Sequence, residues 1–107
     1  MKRAELHGWH IYVVYELEGP YTKIGTAGTV AYRVASLRDG NPRKLEIYKS
    51  WRLSSRENAF KVERAALARA EAKRVPGRDW VLLSHNLAAK LVEGAATELE
   101  ITMEEIV

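Results

Sequence analysis

Apolar residues recur along this chain with two different periods, and the order of those stretches sets out the fold. His10-Ile11-Tyr12-Val13-Val14-Tyr15 is β-branched and aromatic, which suits a pleated, half-buried surface. Glu18-Gly19-Pro20 is turn chemistry, and Tyr21-Thr22-Lys23-Ile24-Gly25 then alternates polar and apolar. The pair reads as a β-hairpin ending at Gly25. Thr26–Thr29 is a small-residue loop, with Thr29 as N-cap of a helix over Val30–Asp39. Val30, Val34 and Leu37 share one face of that helix at i, i+4 and i+7, and Arg33 lies beside them. Asp39-Gly40-Asn41-Pro42 ends it.

Lys44 to Leu53 alternates again, with Leu45, Ile47, Trp51 and Leu53 on one face and Lys49 interrupting them. It reads as a third strand, half buried. Ser54 or Ser55 caps a longer helix to about Arg74; Ser54-Ser55-Arg56-Glu57 has capping-box spacing with Ser54 as the cap. Val75-Pro76-Gly77 breaks it, and Arg78–Leu83 is a short extended piece in which Trp80 is a core anchor. Ser84 caps a third helix, about His85 to Glu93, with Leu87, Leu91 and Val92 inward and Gly94-Ala95-Ala96 as its end. Glu98–Val107 is either a final strand or an acidic tail. The expected class is α+β: a small antiparallel three-stranded sheet flanked by helices. Residues 1–107 form one domain, with a core of about 9–94 and an acidic tail or extra element over 95–107.

Charge changes this picture most. The net +3 divides into +1 over residues 1–39, +6 over 40–79 and −4 over 80–107. A basic middle segment offers a phosphate-attracting surface; the plainer reading is a pair of solvated, charge-mixed helix faces. The acidic tail would repel DNA and is expected to point away from it. The absence of cysteine excludes a disulfide framework, a thiol nucleophile and Cys-ligated zinc. No signal-peptide pattern opens the chain, and no run approaches the roughly 18 apolar residues of a membrane span. The expectation is a cytoplasmic protein with no membrane partner.

One acidic residue is out of place. On the second long helix, Ala59, Phe60, Ala66, Leu67 and Ala70 make an apolar face with Glu63 in its middle, whereas Glu57 and Glu71 lie elsewhere. A desolvated, unpaired carboxylate costs on the order of several kcal/mol. Glu63 must therefore meet a cation, a donor or a water-filled cleft. A purely structural pairing with an arginine such as Arg33 explains it as well as a functional site does.

His10-Ile11-Tyr12, Lys23-Ile24-Gly25, Arg33, Glu63 and Trp80 follow one another at spacings that resemble the GIY-YIG nuclease superfamily. The first signature keeps its Tyr and loses its leading Gly. The second has Lys where many members have Tyr, as in a compact, often phage-associated branch. Arg33 follows Gly25 by eight residues, at the position of the family's helix arginine. Glu63 stands on the next helix, where the single acidic metal ligand is expected, and Arg78-Asp79-Trp80-Val81 looks like the branch's Trp segment. The resemblance covers roughly Ile11 to Asn86.

It implies a metal-dependent endonuclease that hydrolyses DNA phosphodiester bonds. Glu63 would hold one divalent ion, Mg²⁺ with Mn²⁺ as substitute, against a phosphate oxygen or the leaving group. Arg33 would stabilise the developing phosphorane-like charge, and Tyr12 would orient or deprotonate the attacking water. Lys23 can only donate where a phenol could also accept; it would stabilise a Tyr12 phenolate, act as a base once desolvated, or mark a site that binds without cutting. His10, Gly25 and Asn86 are accessory candidates. A domain this small has no second module to read sequence, so a homodimer or a separate protein would supply specificity. The alternatives are a non-catalytic nucleic-acid-binding module on the same fold and a phage-type protein-interaction domain. Sites, not folds, decide among them.

Overall fold

β1 (Trp9–Glu16) is the centre of the molecule. In the computed structural model, which describes residues 8–39, 43–75 and 80–107, Ile11, Tyr12, Val13 and Val14 are all buried. The run lacks polar alternation because both faces of the strand are covered, not one. Ile11 and Val13 pack with Trp51, Leu53 and two long helices; Tyr12 and Val14 pack with Val34, Ala27 and a shorter helix on the opposite face. Each fully buried Val or Ile stabilises the fold by roughly 1.5–3 kcal/mol.

β2 (Thr22–Ala27) pairs antiparallel with β1. The hairpin is closed by the Glu16 N–H donating to the Tyr21 carbonyl at 3.1 Å. The strand runs on past Gly25 to Ala27, so that glycine is a mid-strand residue and not the strand's end. α1 (Val30–Asp39) follows, as its stripe predicts, with Val34 buried; Gly40–Pro42 lie outside the described residues. β3 (Leu45–Leu53) pairs with the other side of β1. Lys49 opposes Val13 and Ile47 opposes Val14, so Tyr48 is an extra residue, a β-bulge. The bulge reverses the strand's faces. Ile47 joins the Tyr12 side, whereas Trp51 and Leu53 join the Ile11 side. The four apolar residues of this strand therefore do not share a face.

α2 (Arg56–Arg69) is capped by Ser55, whose hydroxyl accepts the Asn58 N–H at 3.0 Å, and not by Ser54. A 3₁₀ turn (Glu71–Lys73) completes the expected helical stretch. β4 (Trp80–Val81) adds to the outer side of β2; Pro76–Asp79 lie outside the described residues. α3 (His85–Leu99) has Ser84 as its cap. It runs straight through Gly94 because its buried stripe, Ala88, Ala89, Val92, Ala95 and Ala96, continues on both sides of it. Leu87 lies off that stripe and is exposed. The helix stops at Glu100, in the left-handed region at φ 58°.

β5 (Glu104–Glu105) pairs with the outer side of β3. The sheet is thus antiparallel with five strands in the order β4-β2-β1-β3-β5, not three. α1 covers one face; α2 and α3 cover the other. The acidic segment is docked by the β3–β5 ladder, by Ile101 and Met103 against the core, and by ion pairs. Arg52 pairs with Glu104, Arg69 with Glu98, and Lys49 with Glu105 at 3.4 Å and Glu93 at 3.7 Å. Among the described residues, no helix is long and apolar enough to cross a membrane.

Candidate active site around β2

The two signature segments meet across the β1–β2 ladder. Tyr12 lies opposite Gly25, and Lys23 lies opposite Val14 on one side and Trp80 of β4 on the other. Alternation along each strand puts Tyr12, Lys23 and Gly25 on the face that α1 covers. Gly25 is required there for space: a Cβ added to it would land on the hydroxyl end of the Tyr12 ring. The tyrosine lies over the position where any other residue would carry a side chain. Tyr12 is 1 % exposed and Lys23 5 %. Each is engaged within the protein by hydrogen bonding, charge or ring contact, as the cost of burying such groups requires.

His10 is on the same face, opposite Ala27 and Arg52. It is half-buried, and its Nδ1 is buried without a hydrogen-bond partner. Arg33 is on α1, one position before the buried Val34, and is exposed. Its backbone N–H donates to the Thr29 carbonyl at 3.2 Å in the helix's first turn.

Glu63 is on α2, on the other side of the sheet. The buried line of that helix is Ala59, Val62 and Ala66, so Glu63 flanks the core stripe rather than lying in its middle. The difference arises because Val62 points most directly at the sheet, leaving Phe60 and Leu67 half-buried on the same flank as Glu63. Glu63 is half-buried and engaged within the protein. α1 and α2 both pack against β2. The strand carrying Lys23 and Gly25 is therefore sandwiched between the helix bearing Arg33 and the helix bearing Glu63. Asn86, exposed in the first turn of α3, belongs to the same layer as α2.

The amino-acid sequence matches the T5orf172 domain model over residues 9–96. The chain belongs to the T5orf172 domain family. The T5orf172 match opens at Trp9, the first residue of β1, and closes at Ala96 within α3. It includes Tyr12, Lys23, Gly25, Arg33, Glu63 and Asn86, and leaves β5 outside. No curated protein and no solved structure matches the chain.

Sequence reasoning missed two features near this T5orf172 core. Trp80 is a cross-strand neighbour of Lys23 as well as a core residue; a tryptophan after a Pro-Gly break gave no register. His85 stacks on Tyr15 at 4.0 Å between ring centroids and leans on Tyr48 at 4.6 Å. That contact depends on the bulge at Tyr48, which no periodicity announces.

Among the described residues there is no cluster of three or more His, Cys, Asp or Glu side chains fit to hold a metal ion. A hard cation that keeps most of its waters needs less: one carboxylate, completed by substrate phosphate oxygens. Glu63 fits that role by its chemistry, as a carboxylate at the margin of a core stripe.

Proposed function

We propose that this T5orf172 domain is a metal-dependent endonuclease of the GIY-YIG type that hydrolyses DNA phosphodiester bonds. The observation that carries the reading is the direct cross-strand pairing of Tyr12 with Gly25, with Lys23 on the same face. The two short signatures form one constellation, and their glycine is explained by their tyrosine. Arg33 and Glu63, on the helices either side of β2, supply a guanidinium for the charge of the transition state and a carboxylate for the ion. Mg²⁺, when bound through Glu63, supplies Lewis-acid activation and orients the phosphate. Tyr12 orients the attacking water and takes part in moving its proton. Lys23, on the same face of the sheet as Tyr12 and two residues along β2 from Gly25, contributes its amine to the same constellation.

One observation favours a second reading, a nucleic-acid-binding module without catalysis. Lys23 stands at the second signature position and is almost wholly buried, so it can be a structural cation. The two readings separate on Tyr12→Phe. In an enzyme this variant keeps its DNA affinity and loses roughly 10²–10⁴-fold in cleavage rate, the range for a lost acid–base group. In a binding module there is no cleavage to lose. A thermal melt of the variant checks that the buried ring still packs.

A further inference from the structure

Among the exposed large apolar and aromatic side chains, Tyr32 stands apart at 81 % exposure. Its position explains this. Helical side chains lean back over the residues three and four before them, and for Tyr32 these are Thr29 and Gly28. The next turn offers only Ala35 and Ser36. The ring thus projects from the crest of α1, on the side away from Val34, with small residues before and after it.

The surroundings are cationic. From Val30 to Lys44 the described residues carry Arg33, Arg38, Arg43 and Lys44 against Asp39, with Arg43 paired to Glu16 of β1 at 3.2 Å. Arg38 donates to the Leu45 carbonyl through Nε at 3.2 Å and Nη2 at 2.9 Å, which fixes its charge at the C-terminal end of α1. Four acids of the last third of the chain, Glu93, Glu98, Glu104 and Glu105, are committed elsewhere, to Lys49, Arg52 and Arg69. An exposed aromatic face within a positive field is what a polyanion with free π-faces would recognise, and single-stranded nucleic acid has that chemistry. A duplex conceals its base faces within the stack and offers only edges in its grooves.

We propose that Tyr32 is a stacking platform for an unpaired base, so that the preferred substrate is DNA with a single-stranded segment beside the cleaved phosphate. This rests on the nuclease reading and narrows its substrate class. Arg33, the next residue on α1, holds the backbone of the same strand while Tyr32 takes a flanking base.

The test is fluorescence anisotropy with the 107-residue chain in EDTA at low salt, using labelled oligothymidylate and a duplex of equal length. The wild type is expected to bind the single strand more tightly. Tyr32→Ala is expected to weaken that binding about tenfold without altering duplex affinity or thermal stability, and Tyr32→Trp to retain it. Equal single-strand affinity in wild type and Tyr32→Ala overturns the platform. If the same wild type nicks DNA when Mg²⁺ is added, the nuclease reading survives that result. Absence of affinity for either DNA at low salt overturns both.

Discussion

Gly25 and Tyr12 make one structural unit. The glycine sits mid-strand with no side chain, and the tyrosine ring occupies the space above it. Gly25→Ala is therefore an overpacking substitution, expected to destabilise by about 1–3 kcal/mol. In a domain of this size each kcal/mol is worth about 4–8 °C in Tm, which a thermal melt resolves. The same variant is expected to lose nuclease activity, since the displaced ring is the one assigned to the water. Lys49 is a second informative residue. Burial pulls its ammonium pKa down, but the carboxylates of Glu93 and Glu105, with a hydrogen bond to Glu105, outweigh this and hold it above the ordinary lysine value of 10.5. A raised pKa stabilises the folded state fully below the unfolded value, and the stabilisation is lost as pH rises through the folded value. Lys49→Met is thus expected to melt below the wild type near neutral pH, and the two curves to converge well above pH 10.5. A constant difference across the alkaline range would show that the charge pair contributes nothing.

Among the elements, α3 best shows what a linear reading misses. Gly94 sits in a Gly-Ala-Ala segment and reads as a helix end, yet the buried positions 88, 92, 95 and 96 keep helical spacing across it. Tertiary packing of that stripe outweighs the local propensity of one glycine. Nothing lies within 4 Å of a Cβ placed at Gly94. Gly94→Ala is therefore expected to stabilise by about 0.5–1 kcal/mol, seen as a raised denaturation midpoint with unchanged slope. The hairpin, α1 and α2 were legible because their apolar residues repeat with a clear period. β3 was legible as a strand but not in its facing, because the bulge at Tyr48 inverts the pattern partway along. β4 and β5 were not legible as sheet members. Two residues carry no period, and their pairing is set by partners distant in sequence: β2 for one, β3 for the other. The candidate site followed the same division. Tyr12, Lys23 and Gly25 sit on strands whose register the hairpin fixes, so they were found together. Glu63 reads from the sequence as an acid in the middle of an apolar face, and its place on the flank depends on how α2 rotates over the sheet.

For the whole molecule, charge is divided between two regions. The C-terminal acids neutralise Lys49, Arg52 and Arg69 and fasten β5 to the sheet edge opposite β2 and β4. The negative charge is thereby kept at the opposite edge from Lys23 and β4, apart from the cations of α1 and its C-terminal flank, of which Arg43 is paired with Glu16. This arrangement suits DNA binding whose affinity falls steeply with salt. The proposed enzyme asks more: that the pair on β1 and β2 work with Glu63 from the layer behind them. A plasmid-nicking assay with Mg²⁺ tests this most directly, comparing wild type with Glu63→Ala and with an EDTA control. The wild type is expected to nick, and both EDTA and Glu63→Ala to abolish nicking, with the variant's thermal melt still cooperative. Metal-dependent nicking that persists in folded Glu63→Ala would contradict the ligand assignment. No nicking of supercoiled, branched or single-stranded DNA by a folded wild type would contradict the enzyme itself.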